Sequence, residues 1–201
     1  VHTNAPGEVI CDELSHIYRY EGGGIGFNSS LSTRLIKGDR GRFTLDQLKI
    51  EINPDDVHFP PTQLVSLENT CNKGGGSIWG ISKIEQISNF CREKNIPIHL
   101  DGARLYNALV ATETKEIEIG KHFDSISLCL SKGLGCPVGS LLIGSKEFIK
   151  NNSAGRLLIL LFCKFNWRSC ASLNNSSGTC VSLLTLRDKY SSFEFSSITG
   201  N

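Results

Sequence analysis

The sequence predicts an α/β fold, one open and mainly parallel sheet with flanking helices. Two observations predict it. Over residues 1–150, short apolar runs of strand length alternate with stretches whose apolar residues recur at helical spacing, the pattern of strand–helix–strand crossovers. Asn69, Asp101 and Lys132, the residues best suited to chemistry, each fall at the end of such a run, where open α/β sheets gather their ligands.

The elements follow in order. "GEVICDE", Gly7 to Glu13, reads as a short buried strand, and Gly22 to Gly24 in "LSHIYRYEGGG" are expected to break regular structure as a turn. "FTLDQLKIEI", Phe43 to Ile52, places Leu45, Leu48 and Ile52 at helical spacing behind Thr44, a candidate N-cap. A strand is expected from about Gln63 to Asn69. The stretch Ile81 to Asn95 repeats Ile81, Ile84, Ile87 and Cys91 on one face, an amphipathic helix. "IPIHLDGARLYNALVA" predicts a strand through Leu100 and a helix from near Ala103. "DSISLCLSKG" and "GSLLIGS" give two further strands, and "KEFIK" opens a last helix.

Bulk composition narrows the class. With 201 residues, 39% hydrophobic and 20% charged, the chain suits one soluble globular domain or a piece of a larger one, and is neither disordered nor collagenous. A net charge of +1 gives no reason to expect nucleic acid or an anionic membrane as partner. The longest aliphatic stretch, "LLILLFC" from Leu157 to Cys163, is far short of the roughly 20 residues of a membrane-spanning helix. None of the eight cysteines forms a C-x-x-C pair or a zinc-type cluster, and several lie in apolar runs, so free thiols in a reducing cytoplasm are expected. The chain starts at Val1 and holds no methionine, so further residues are expected upstream.

Beyond Lys150 the pattern changes. Residues 151–201 carry five Lys or Arg against two Asp or Glu, with repeated serine and asparagine and no clear period. Two units are expected: residues 1–150 as a patterned α/β region, and 151–201 as a divergent tail.

"SLCLSKGLGCPVGS", Ser127 to Ser140, sets Lys132 at the exit of an apolar run among glycines. Such a lysine ordinarily reaches for solvent. Close approach at Gly133, Gly135 and Gly139 also allows a desolvated amine, which loses its proton readily and becomes a nucleophile. A lysine at one strand end and an acid, Asp101, at another is the pairing pyridoxal phosphate requires: the amine carries the aldehyde, and the carboxylate holds a proton on the pyridine nitrogen. Spacing alone favours the plainer readings, with Asp101 as a helix cap, Arg104 as the partner of a surface acid and His16 as a structural histidine.

The words themselves go further. "DELSHIYRYEGGG", "DDVHFPPTQLVSLENT", "HLDGARLYNA" and "HFDSISLCLSKGLGCPVGSLLIGSKEFI" closely resemble the low-specificity L-threonine aldolases, of the aromatic amino acid beta-eliminating lyase and threonine aldolase superfamily, from about Thr3 to Ile149. The resemblance implies a partial fold type I large domain of the pyridoxal phosphate-dependent transferase-like class. It implies pyridoxal 5'-phosphate as cofactor, with Lys132 as Schiff-base lysine, Asp101 at the pyridinium nitrogen, His16 stacked on the ring, and Arg104 near the cofactor oxygen and substrate carboxylate. It implies cleavage of threonine or allo-threonine to glycine and acetaldehyde, in homotetramers whose sites draw on neighbouring subunits.

Three departures qualify this. Where the family has a histidine that contacts the substrate hydroxyl, this chain has Cys71, a weaker hydrogen-bonding group. The family's serine-aspartate-threonine motif and phosphate-gripping serine-glycine-threonine loop would precede Val1, and Gly22 to Gly24 lack a P-loop signature. Residues 151–201 match none of the family's C-terminal part, as expected if a shifted frame or aberrant splice follows about Lys150. Three readings result: an aldolase of this group, a β-eliminating lyase on the same scaffold, or a truncated non-catalytic relative without the phosphate grip.

Overall fold

The computed structural model describes residues 2–151, and they form a six-stranded sheet with helices between the strands. In chain order the elements are β1 (Glu8–Asp12), α1 (His16–Arg19), a 3-10 turn (Glu21–Gly23), α2 (Gly24–Ser29), β2 (Ser32–Ile36), α3 (Leu45–Glu51) and β3 (Thr62–Glu68). Then come α4 (Ile81–Glu93), β4 (Ile98–Asp101), α5 (Leu105–Thr112), α6 (Glu116–Gly120), β5 (Ser125–Cys129), β6 (Ser140–Gly144) and α7 (Lys146–Asn151).

The strands lie in the order β2-β1-β3-β4-β5-β6. All neighbours are parallel except β5 and β6, which pair antiparallel with Cys129 opposite Ser140. The mainly parallel α/β architecture is as expected; the antiparallel turn-back at β6 is an addition. Central strands buried on both faces need continuous apolar runs, and β1 is buried along its whole length. Ile10, Val65, Leu67, Ile98 and Leu100 from the strands meet Leu48 of α3, Ile84 and Ile87 of α4, and Leu105 and Leu109 of α5. Each such side chain contributes about 1.5–3 kcal/mol by leaving water. Phe43 and Trp79 join this core edge to face, ring centroids 5.3 Å apart.

Local signals explain the helix ends. Thr44 caps α3 as expected: its hydroxyl accepts the Gln47 N–H at 3.2 Å while the Gln47 side chain accepts the Thr44 N–H at 2.9 Å. The helix expected from near Ala103 starts later, at Leu105, because the Asp101 carboxylate accepts the Ala103 N–H at 3.1 Å and closes a turn first. The helix from Ile81 stops at Glu93 rather than Asn95, which has φ 55°. Gly22 to Gly24 are not simply a break. Gly22 and Gly23 take left-handed conformations in the turn, and Gly24 opens α2.

At the other end of β1, buried Glu8 pairs with Arg34 of β2 at 2.8 Å and accepts an amide hydrogen of Asn53 at 3.1 Å, which ties the edge strand β2 to β1. Cys11, Cys71, Cys91, Cys129 and Cys136 are all free thiols. Among the described residues no helix is long and apolar enough to cross a membrane. The tail expected beyond Asn151 lies outside the described residues.

Candidate active site

Strand order places the crevice. β1 leads on to β2 at one side and β3 leads on to β4 at the other, so the chain diverges between the carboxyl ends of β1 and β3, and that gap is where doubly wound sheets bind ligands. Four strand ends feed this edge, and they carry His16, Cys71, Asp101 with Arg104, and Lys132.

At the end of β1, Asp12 is 1% exposed and accepts the N–H groups of Leu14 at 2.8 Å and Gly38 at 2.9 Å, so one carboxylate fixes the loops leaving β1 and β2. Burial pushes its carboxyl up, against these two hydrogen bonds. His16 then opens α1. Its N–H donates to the Glu68 carboxylate at 2.9 Å, its Nδ1 lies 3.2 Å from Glu21, and its ring is tilted against Tyr20, centroids 4.8 Å apart. Lys73 sits over the other aromatic of this group, its Nζ 5.5 Å from the Tyr20 centroid.

At the end of β3, Glu68 is buried and also accepts the Asn72 N–H at 2.9 Å. The next residue, Asn69, is 1% exposed; its carbonyl oxygen accepts the Trp79 N–H at 3.4 Å, and its Nδ2 has no partner. A buried, unpaired amide donor costs about 1–3 kcal/mol, and such groups call for an acceptor from outside the chain. Cys71 is fully buried, and its Sγ occupies the space where a Cβ on Gly41 would stand, 2.0 Å from that position. Burial, with the charge of Glu68, pushes this thiol up to about 11. The residue expected to meet a substrate hydroxyl therefore stands at the crevice with its sulfur turned against Gly41.

Asp101 ends β4, 9% exposed. It is the register partner of Glu68 on β3 and of Ser127 on β5, so the two acids leave the same face of the sheet. Burial raises the Asp101 carboxyl; the Ala103 N–H and then the charges of His16 and Lys132 draw it back. Lys132, three residues beyond β5 and exposed, thus lies within electrostatic reach of Asp101, as does His16. Gly135 donates its N–H to the Lys132 carbonyl at 3.0 Å, closing the turn that presents the lysine. Arg104 is half-buried at the start of α5 and forms no ion pair among the described residues, so the reading of it as a surface partner finds no acid here.

The donor set suits an anionic aromatic aldehyde cofactor. It has an amine, a carboxylate one strand away that feels its charge, an imidazole beside that carboxylate, an uncommitted guanidinium and an orphan amide donor. Among the described residues no group of three or more His, Cys, Asp or Glu is arranged to hold a metal ion. Glu68, Asp12 and Glu21 are the residues that sequence reasoning passed over. Their signal was slight: all three stand inside quoted words, but Glu68 meets His16 and Asp12 meets Gly38 across loops distant in sequence, and only Glu21 has its partner, His16, nearby.

Residues 1–157 match the family model described as Beta-eliminating lyase. The chain belongs to the beta-eliminating lyase family. Over 149 residues the chain is 42% identical to the low-specificity L-threonine aldolase of Candida albicans, covering 72% of this chain and 39% of that one. Over 150 residues it is 41% identical to the low specificity L-threonine aldolase of Escherichia coli K12, covering 74% of this chain and 44% of that one. The solved structure of a candidate aromatic amino acid beta-eliminating lyase/threonine aldolase from Exiguobacterium superposes with a TM-score of 0.63 at 34% identity, covering 71% of this chain and 38% of that one. The chain thus spans about two-fifths of the length of the curated relatives it matches.

Proposed function

We propose that this chain carries the cofactor-holding part of a pyridoxal phosphate-dependent lyase that cleaves L-threonine or L-allo-threonine to glycine and acetaldehyde. The observation that carries the reading is geometric: Asp101 at the end of β4 is the register partner of Ser127 on β5, the strand whose exit turn presents Lys132, in a chain 41–42% identical to two threonine aldolases.

When bound, the cofactor supplies an electron sink for the pair left at Cα as the Cα–Cβ bond breaks. Lys132 would hold it by its aldehyde carbon, and Asp101 would keep a proton on the pyridine nitrogen. Partial burial suits Asp101 to that task, because a charge-assisted hydrogen bond strengthens where water is excluded. Arg104, with no acid of its own among the described residues, offers its planar fork to the amino acid carboxylate. His16 has Nδ1 committed to Glu21, which leaves Nε2 facing away from that carboxylate as the nitrogen able to accept a proton. Cys71 stays a protonated thiol at neutral pH and is no base. Contact between Cys71 and the substrate hydroxyl requires its sulfur to turn away from Gly41.

Glycine formation from threonine, a homotetrameric assembly and a cytoplasmic location belong to the same proposal; the free thiols support the last. The test is product analysis. Purified chain, pyridoxal phosphate and L-threonine should yield glycine and acetaldehyde in equal amounts, and Lys132→Ala should yield neither. Release of ammonia and a keto acid instead would move the reaction to β-elimination.

A further inference from the structure

Glu68 takes no part in the chemistry above, yet it is the group that joins the two loops framing the crevice. Its Oε2 accepts the His16 N–H and its Oε1 the Asn72 N–H, both at 2.9 Å. His16 is the first residue of α1, and its N–H is one of those a helix start leaves unpaired. Asn72 directly follows Cys71. One carboxylate, 5% exposed, therefore spans the gap between the end of β1 and the end of β3. Among the described residues no Lys or Arg pairs with it, so the two backbone hydrogen bonds are what compensates its burial. Trp79 pins the same point from the other side, donating its indole N–H to the Glu68 carbonyl at 3.1 Å.

We propose that Glu68 is a positioning residue of the site, which fixes where the His16 imidazole and the Cys71–Lys73 loop stand at the crevice. The inference rests on the reading that this crevice takes pyridoxal phosphate. Geometry requires a carboxylate in this place. Two N–H groups arrive at two separate oxygens, and an amide has one oxygen and a donating nitrogen, so glutamine can keep only one loop. The titratable groups around Glu68 are Asp101 on β4 and His16 at the start of α1, with the thiols of Cys11 and Cys71. Burial raises the Glu68 carboxyl first, its two N–H donors lower it, and the Asp101 charge raises it again.

The experiment follows the full chain by NMR through an acid titration. The amide signals of His16 and Asn72 should move together with one midpoint, above the ordinary glutamate value of about 4.3. That common midpoint should fall in Asp101→Asn, because the raising charge is gone. In Glu68→Gln the His16 imidazole signals should shift while those of exposed His58 stay, and half-saturation by pyridoxal phosphate should need about tenfold more cofactor, the equivalent of one charge-assisted hydrogen bond. Amides that titrate independently, or an imidazole that does not move in Glu68→Gln, overturn the proposal. Should Glu68→Gln fail to fold, the titration of the unmodified chain decides. If the unmodified chain takes up no cofactor, the functional reading falls while the two NMR arms still judge Glu68.

Discussion

Glu68 and Asp101 stand side by side at the ends of β3 and β4, register partners on neighbouring parallel strands and both buried. Burial raises both carboxyls. A carboxyl raised in the fold binds protons more tightly there than in the unfolded chain. Stability is then lost as pH rises from the ordinary carboxylate range through the raised value.

Asp101→Asn removes that burden while its amide oxygen can still accept the Ala103 N–H. The variant should be more stable than the native chain by about 1 kcal/mol at neutral pH, the scale on which functional sites are held back. The gain should shrink as pH falls through the raised value and vanish well below the ordinary aspartate value of about 3.9, where both states are protonated. Denaturant unfolding across pH checks this; equal destabilisation at every pH would show that Asp101 serves the fold alone.

Thiol chemistry reads the crevice directly. Burial pushes Cys11 and Cys91 up to about 12 and Cys71 up to about 11, whereas Cys136 is exposed. Since the thiolate is the nucleophile, alkylation at neutral pH followed by peptide mapping should label Cys136 and spare these three until denaturant is added. Labelling of Cys71 as fast as Cys136 would mean that its loop opens and the sulfur turns out.

Gly41 and Cys71 can be tested as a pair. Gly41 has φ 85°, and a Cβ there would meet Cys71 Sγ at 2.0 Å. Gly41→Ala should cost about 3 kcal/mol by overpacking and left-handed strain together. Adding Cys71→Ala should recover only part of the overpacking, because the Cβ that alanine keeps still stands 2.9 Å from the new one, and the left-handed backbone strain of about 1–2 kcal/mol stays.

Most of the sheet was legible because buried parallel strands are written as apolar runs: "EVICD", "TQLVSLE" and "SISLC" need no tertiary knowledge to be read. β2, "STRLI", was missed because it is an edge strand whose Arg34 serves Glu8 rather than a core. α6 has five residues, too few to show a period, and α2 hides behind three glycines. Asp101 and Lys132 could be placed at strand ends from sequence. Glu68 could not be assigned, because its meaning lies in an N–H 52 residues away. Nor did sequence reveal that Cys71 turns its sulfur inward, which depends on Gly41.

His99 gives a pH signature of opposite sign. Burial, with His2 nearby, pushes it down to about 4 from 6.5, and its Nδ1 meets the Ser125 hydroxyl at 2.7 Å. The unfolded chain then binds the extra proton, so this group's stability is complete above pH 6.5 and is lost as pH falls toward 4. The slope from His99 alone should approach about 1.4 kcal/mol per pH unit inside that window. His99→Gln should flatten it in unfolding experiments; an unchanged slope would assign the acid lability elsewhere.

The most direct measurement is to incubate the chain with pyridoxal phosphate, reduce with borohydride, and map the modified lysine by mass spectrometry. If Lys132 and Asp101 serve one crevice, the pyridoxyl group is found on Lys132, and Asp101→Asn reduces its yield. Modification spread over surface lysines such as Lys94 and Lys121, with no preference for Lys132, would contradict the account.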